Sequence, residues 1–245
     1  MSGVVRAGGH SVEAATVKHE VFSSTREAIV SRRLAPGTKL TEDIIAETFG
    51  CGRGPVRWAL ARLQDEGLVT LVPNRGAFVA EPAPDEAKNL FGARRILEGG
   101  IVRCLCNAQD RNLKPLIECV KAEDRAQAEG NEEDALRLSG DFHLIMASLT
   151  GNAIVETMLR EVVSRTILAI NTHQRAGTSG CRTHEHHHLI ALIEAGDVDG
   201  AIREMDAHLK ALEDGLDLSS SGKPDGGLKA MLQAALRAAS KPPRA

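Results

Sequence analysis

The sequence predicts a mainly α-helical protein of two modules: a small helical module closed by one β-hairpin, followed by an all-α antiparallel helical bundle. Aromatic residues are scarce among the 245 residues, with five Phe, one Trp and no Tyr, so the core must consist of Leu, Ile, Val and Ala. The chain is also rich in Ala, Leu, Glu and Arg, which favour helices. Gly, Pro, Asn and Asp punctuate the apolar periodicity and divide it into elements.

The N-terminal part lacks the continuous apolar stretch of a signal peptide. Residues 1–17 are instead predicted to be a disordered leader. A first helix is predicted within residues 19–33 from apolar residues at near-helical spacing. Thr41 then precedes two acidic residues, as an N-cap does, and Gly50 ends this short second helix. Pro55 lies in the first turn of a third helix.

Two short β-rich runs follow the third helix, at residues 68–72 and 77–79, and the turn Pro73-Asn74-Arg75-Gly76 separates them. Three helices and a hairpin in this order predict a winged helix-turn-helix over residues 18–81.

The second module is predicted to follow a Pro-Ala-Pro linker and to occupy residues 85–218. Its predicted helices are 85–107, 111–129, 132–149, 153–173, 183–195 and 198–215. Residues 219–245, which begin SSSGKPDGG, are predicted to be a flexible C-terminal tail.

Composition also restricts the cellular setting. No stretch approaches 18 consecutive apolar residues, so we expect no contact with a membrane. The five cysteines are odd in number and show no CxxC spacing, which favours reduced thiols and a cytoplasmic protein. Residues 18–80 hold nine Lys and Arg against seven Asp and Glu, whereas residues 81–245 hold 20 against 25. This asymmetry indicates modules with different partners.

The first module resembles the winged helix-turn-helix of the GntR family of bacterial transcription regulators. The matching residues are Pro36-Gly37, Leu40, Ala46, Gly50, Arg53, Pro55-Val56-Arg57, Ala59-Leu60, Leu63, Glu66-Gly67-Leu68, Arg75-Gly76 and Val79. The resemblance implies a homodimer whose two winged modules read a pseudo-palindromic operator in double-stranded DNA. Where the family usually has Ser-Arg-Thr, this chain has Gly52-Arg53-Gly54, and Trp58 replaces a frequent Glu. Trp58 is expected either to pack locally or to touch the DNA backbone.

The residues themselves agree with DNA binding. Arg53 and Arg57 lie four apart, hence on one exposed face of the third helix, and the first residues of a recognition helix enter the major groove. The alternative is that they are ordinary solvated arginines, as Arg62 is expected to be. The wing tip is suited to the minor groove. The predicted DNA-binding residues are Thr41, Gly52, Arg53, Gly54, Arg57, Arg75 and Gly76.

The second module is similar to the C-terminal ligand-binding domain of the FadR subfamily of GntR regulators, called FCD. The matching residues are Arg94, Leu97-Glu98, Phe142-His143, Gly151-Asn152, Glu185-His186, Gly196-Asp197, Met205 and His208-Leu209. In many members an Asp and three His bind a divalent metal, which helps to receive a carboxylate effector. The resemblance therefore implies a Zn²⁺, Ni²⁺ or Mn²⁺ site at His143, His186 and His208.

This chain departs from that pattern at the aspartate position, which is Ser139. A hydroxyl is a poorer ligand for these metals than a carboxylate. Asp141 is about 200° around the helix from His143 and cannot replace the missing ligand. The alternative is a metal-free polar pocket that binds the effector directly. We assign Ser139 to effector binding together with Arg94, which either pairs with an anionic effector or forms a salt bridge with Glu98.

The segment RTHEHHHLI holds four histidines that a helical wheel separates. His186 lies within the apolar arc of the following residues, whereas His184 and His187 lie outside it and His188 lies at its edge. His208 shares a stripe with Ala201 and Met205, so it is also expected to point inward.

These observations predict a DNA-binding transcriptional regulator, a repressor that a small organic acid releases from its operator, and not an enzyme. The rival hypothesis is a metal-dependent enzyme, since three histidines with an open position also describe a catalytic zinc site. The DNA-binding module, however, needs no catalysis. A metal-responsive activator is the other alternative.

Overall fold

The structure, a computed structural model, describes residues 9–110, 112–175 and 183–219, apart from the side chains of residues 9–15 and 183. Within these ranges no helix combines the length and the apolar character needed to cross a membrane. The predicted tail lies, from residue 220 onward, outside the described residues.

The N-terminal half is a winged helix-turn-helix, called the winged module below. Its elements are α1 (Gly9–Val30), β1 (Lys39–Leu40), α2 (Glu42–Thr48), α3 (Arg53–Asp65), β2 (Val69–Val72) and β3 (Gly76–Val79). Helix α1 begins at Gly9 and so runs through part of the segment predicted as a disordered leader. Residues 11–20 contain Ala, Glu and Lys but neither Pro nor Gly, which suits a helix.

The core of the winged module is formed by the inner face of α3 against α1 and the sheet. Val56, Leu60 and Leu63 recur at helical spacing and are buried, and they pack with Ile29 and Leu68. This packing fixes the opposite face of α3, which carries Arg53 and Arg57, toward solvent.

The sheet has three strands in the order β1-β3-β2, and both pairings are antiparallel. The hairpin of β2 and β3 is as predicted, and Asn74 in its turn adopts a left-handed conformation at φ 60°. Strand β1 was not predicted, because two residues carry no periodicity. Its Leu40 pairs with Ala77 and closes the sheet against the core.

The second half is an all-α bundle, called the helical domain below. Its helices are α4 (Pro84–Asn107), α5 (Lys114–Ala128), α6 (Glu132–Leu149), α7 (Ala153–His173), α8 (Thr183–Ala195) and α9 (Val198–Asp214). Each predicted helix is present, and the largest difference is the start of α5, which begins after residue 113 rather than at residue 111. Asn131, Asn152 and Asp197 cap α6, α7 and α9 by accepting backbone N–H groups.

The two halves share a packed junction along α7. Leu168 of α7 is fully buried in the core of the winged module. Arg26 of α1 donates to Ser164 Oγ at 2.5 Å and pairs with Glu66 at 3.1 Å. The backbone of Gly67, at φ 70°, lies so close to Arg165 that an added Cβ would be 2.7 Å from Arg165 Cδ. Helix α7 therefore belongs to both domains.

Candidate functional site

The surface that the sequence predicts to contact DNA is formed by the start of α2 and the first turns of α3. The Arg53 and Arg57 side chains are 60% and 65% exposed. The guanidinium of Arg53 donates through Nε and Nη2 to the two carboxylate oxygens of Asp43, at 2.6 and 3.0 Å. Arg57 Nε donates to Glu42 Oε2 at 2.8 Å. Both arginines are thus presented to solvent while held by an acidic partner on α2.

The other predicted DNA-binding residues surround this surface. Thr41 is the N-cap of α2, but its side chain forms no capping hydrogen bond. Gly52 and Gly54 flank Arg53, and no described residue lies within 4 Å of a Cβ added at either of them. In the wing, Arg75 lies over the ring of Phe78 at 5.8 Å. An open, glycine-flanked helix start allows a close approach of DNA.

Trp58 faces α1 rather than the exposed face of α3. Its ring meets His19 edge-on at 4.9 Å, and Lys18 Nζ lies 4.8 Å from the ring centroid. Of the two roles expected for this residue, the structure therefore supports local packing.

The second site lies inside the helical domain, where α6, α8 and α9 each supply one histidine. His143, His186 and His208 are 1%, 1% and 3% exposed, and their candidate ligand atoms all lie within 4.8 Å of one another. The inward orientation predicted for His186 and His208 is confirmed. His184, His187 and His188 are exposed, which also settles the side that His188 takes.

Each of the three histidines has a carboxylate behind it. His143 Nδ1 lies 2.5 Å from Glu98 Oε2, His186 Nδ1 lies 2.8 Å from Glu123 Oε2, and His208 Nδ1 lies 2.8 Å from Glu185 Oε2. A carboxylate accepts a hydrogen bond, so each Nδ1 carries the proton and each Nε2 presents its lone pair. Such pairing fixes the tautomer and the orientation of metal-binding histidines.

The opposite edges of the rings converge. His143 Nε2 and His208 Nε2 are 3.3 Å apart. With both Nδ1 atoms protonated, these two nitrogens are acceptors that face each other without a hydrogen. Burial lowers the pKa of His143 to about 3, and burial also lowers the pKa of His208, so neither ring readily takes up a second proton. Two tetrahedral nitrogen ligands of zinc are about 3.3 Å apart. The donor set therefore fits a divalent cation.

Arg94 lies next to this site, on α4. Its Nε donates to Glu98 Oε1 at 2.5 Å, and the two side chains are 3% and 0% exposed. Burial alone would raise the pKa of Glu98, but Arg94 and His143 outweigh it and hold that pKa well below its usual range. The salt bridge predicted for Arg94 is therefore present. Its Nη2, however, is buried without a hydrogen-bond partner among the described residues.

Ser139 is buried on α6, one turn before His143, at 5% exposure. Among the described residues, the group of converging ligand atoms consists of the three imidazoles and includes no carboxylate. Asp141 pairs with Arg137 at 2.9 Å, away from the histidines, in agreement with the helical-wheel argument.

Sequence reasoning did not assign the three carboxylates to this site. Glu98 and Glu185 stand in the stretches that carry the family resemblance, so a signal was available for them. Glu123 stands 63 residues before His186, and nothing in the sequence connects the two.

A winged helix-turn-helix joined to an all-α domain defines a class of DNA-binding proteins. Two family descriptions match this chain: "Bacterial regulatory proteins, gntR family" over residues 18–79 and "FCD domain" over residues 89–211. The chain belongs to the GntR family and carries an FCD domain. It is a DNA-binding transcriptional regulator and not an enzyme.

Known relatives agree over most of the chain. An HTH-type transcriptional regulator in an unstable DNA locus of Streptomyces ambofaciens is 26% identical over 223 residues, covering 86% of this chain and 89% of that protein. The HTH-type transcriptional repressor RspR of Escherichia coli K12 is 23% identical over 202 residues, covering 81% and 88%.

Solved structures share the fold. A GntR transcriptional regulator from Rhodococcus sp. RHA1 has a TM-score of 0.73 at 24% identity and covers 80% of this chain and 95% of its own. E. coli McbR/YncC has a TM-score of 0.67 at 21% identity, covering 79% and 93%. At these identities the likeness concerns the fold alone.

Proposed function

We propose that this regulator is a cytoplasmic repressor that binds a pseudo-palindromic operator as a homodimer and leaves it when a small organic acid enters the helical domain. The E. coli relative RspR is named a repressor, which supports that sign of regulation. The observation that carries the effector proposal is the buried convergence of one ring nitrogen from each of three histidines, beside an arginine whose Nη2 has no hydrogen-bond partner among the described residues.

In this proposal His143, His186 and His208 hold a divalent metal, Zn²⁺, Ni²⁺ or Mn²⁺. The metal would supply a Lewis-acidic position that attracts a carboxylate. With no carboxylate among the protein ligands, positions remain for the effector. Arg94 contributes a buried positive charge and a spare donor, and Ser139 contributes a hydroxyl. A buried donor with no partner costs stability until a ligand satisfies it, which favours binding of an anion.

Operator binding is assigned to Arg53 and Arg57 in the major groove and to the wing residues Arg75 and Gly76 in the minor groove. Thr41, Gly52 and Gly54 complete the surface and approach the DNA backbone. The exposure of both recognition-helix arginines supports this assignment.

A packed path connects the two sites. Gly140 lies on α6, three residues before His143, and a Cβ added there would be 3.0 Å from Ile167 Cδ1 of α7. The next residue of α7, Leu168, packs in the core of the winged module. An effector that displaces α6 would therefore move α7 and with it the placement of the winged module, which changes the half-site spacing that fits.

Metal binding is tested by loading the purified protein with Zn²⁺, desalting it and measuring metal per chain. We expect about one equivalent for the wild type and for His187→Ala, and a loss for His186→Ala. The matched control changes an exposed histidine of the same helix. Less than about a tenth of an equivalent in the loaded wild type would overturn the metal proposal.

The effector is sought by thermal shift with small carboxylic acids, with and without Zn²⁺, since a ligand of the folded state raises Tm. An acid that raises Tm should also release the protein from its operator in a gel-shift assay. Arg94→Lys, which keeps the charge but removes the guanidinium nitrogens, should weaken this response. Stabilisation without release would contradict the proposed switch.

The sign of regulation and the oligomer are tested separately. A reporter gene behind the operator should fall in expression with the regulator and recover when the acid is added. A rise with the regulator alone would show an activator. Sedimentation should give the mass of two chains, and a monomer bound at a full operator would refute the homodimer.

A further inference from the structure

We propose that Asp43 and Glu42 are positioning residues that determine operator specificity, each by fixing the guanidinium of one recognition-helix arginine. The proposal rests on the assignment of Arg53 and Arg57 to base contacts. It adds two acidic residues of α2, a part of the surface that would otherwise be expected to repel DNA.

The first argument is geometric. The Nε and Nη2 atoms along one edge of the Arg53 guanidinium donate to the two carboxylate oxygens of Asp43, at 2.6 and 3.0 Å. Arg57 uses Nε alone toward Glu42. In each pair the carboxylate occupies a side edge of the guanidinium, and at least part of the terminal edge stays outside the pair. The terminal edge is the part that an arginine can offer to guanine O6 and N7.

The second argument is the lack of other restraints on Arg53. Gly52 is the N-cap of α3 and offers no side-chain cap, and Gly54 follows directly. Within the described ranges, no atom lies within 4 Å of a Cβ added at either position. An arginine has a large rotamer entropy, so a bidentate carboxylate that holds its planar group reduces the cost of ordering it on DNA.

The third argument concerns charge. Two carboxylates and two guanidinium groups leave this patch with no net charge, so it gains little from phosphate attraction. Arg75 of the wing lies over Phe78 instead and keeps its charge available. Phosphate contacts supply affinity that depends on salt, whereas base contacts supply specificity. The neutral patch therefore reads bases, and the wing arginine supplies attraction.

Testing begins with enrichment of bound duplexes from a random DNA pool by the full-length wild type and by each variant. Arg53→Ala and Arg57→Ala identify the base pairs that each arginine reads. Asp43→Asn should lose preference at the base pairs affected by Arg53→Ala, with discrimination there falling by about 5- to 100-fold. Glu42→Gln should do the same at the base pairs of Arg57. Binding of both variants to scrambled DNA should be unchanged or tighter, because a negative charge has been removed.

Glu47→Gln is the matched control, since it removes the same charge from an exposed position of the same helix. It should keep every base preference. Arg75→Ala should lower the slope of log Kd against log salt concentration by about 0.9, whereas Asp43→Asn should not lower it. These readouts separate positioning from a structural role, because partial unfolding would weaken binding to all DNA alike.

If Asp43→Asn and Glu42→Gln keep wild-type base preferences while both arginine variants lose theirs, the positioning proposal is overturned and the DNA contacts stand. An equal gain of affinity on all DNA for Asp43→Asn and Glu47→Gln, with preferences intact, would show that the carboxylates only reduce attraction. If the arginine variants themselves keep all preferences, the base contacts fail and the positioning proposal with them.

Discussion

The winged module and the helical domain both contain an arginine–carboxylate pair, but the first pair is exposed to solvent and the second is buried. In Arg53–Asp43 the side chains are 60% and 64% exposed, whereas in Arg94–Glu98 they are 3% and 0% exposed. An exposed pair is worth about 0–1 kcal/mol. In a buried pair, removal of one partner leaves an uncompensated charge and costs about 3–5 kcal/mol.

Because of this difference in exposure, the two arginine–carboxylate pairs suit different roles. The exposed pairs on α3 contribute little to stability, so their arginines are available to the second partner that we propose for them, the operator. The buried pair belongs to a chain of contacts from Arg94 through Glu98 to His143, and it holds an imidazole in one tautomer. The first arrangement suits recognition and the second suits a preorganised site.

The largest effect is expected from Glu98→Gln, which keeps the side-chain volume but removes the charge that compensates Arg94. The free energy of unfolding should fall by about 3–5 kcal/mol. Urea denaturation at neutral pH measures it. Asp43→Asn, which breaks an exposed pair, is the control and should change stability by less than about 1 kcal/mol. Equal losses for the two variants would remove the contrast between the domains.

The next effect concerns the carboxylates behind the histidines. Glu123→Gln should weaken zinc affinity by about 10- to 100-fold, because His186 loses the charged carboxylate that fixes its Nδ1–H. Competition with a chromophoric chelator measures the affinity. Asp124→Asn is a close control, since Asp124 holds the exposed His187 at the same 2.8 Å. Wild-type affinity in Glu123→Gln would mean that this carboxylate has no part in the site.

A smaller effect tests the junction between the two domains. Gly67 and Gly50 both have a positive φ, of 70° and 59°, but only Gly67 lies against Arg165. Gly67→Ala should therefore lower the free energy of unfolding by about 1 kcal/mol more than Gly50→Ala does, because the added Cβ displaces the Arg165 side chain. Thermal unfolding in an Arg165→Ala background should abolish the excess. An excess that persists would locate the strain in the winged module alone.

The smallest effect is a difference in the alkylation rates of two cysteines, which reports on the interior of the helical domain. Burial raises the pKa of the Cys119 thiol to about 12, while Cys104 is exposed. At pH 8.5 iodoacetamide should alkylate Cys119 on the order of a thousandfold more slowly than Cys104, since the thiolate is the nucleophile. Peptide mass spectrometry measures both rates.

The sign of the pH dependence follows from the same shift. The folded protein holds the Cys119 proton more tightly than the unfolded chain does. This contribution to stability is complete below the ordinary thiol pKa and is lost as the pH rises toward 12. Equal rates of iodoacetamide alkylation at Cys119 and Cys104 in the native protein would mean that the interior of the helical domain opens to solvent.

The sequence alone determined the order of the helices and of the hairpin, and it determined that His186 and His208 point inward. Helix α7 was predicted at 153–173 and is found there, because Asn152 caps it and the apolar period is continuous. The burial of His186 and the exposure of His184 and His187 followed from a helical wheel. Such properties depend on residues within a few turns of one another, where spacing alone decides which side chains share a face.

Tertiary structure alone decided what lies beyond that range. It placed Glu123 against His186 across 63 residues, joined Leu168 of the second domain to the core of the first, and paired β1 with β3. It also showed that Arg94 pairs with Glu98 while its Nη2 has no hydrogen-bond partner in the part of the chain that the structure describes. The physical reason is that these contacts depend on how helices pack in space. Side-chain periodicity identifies the buried face of each helix but not its partner on another helix.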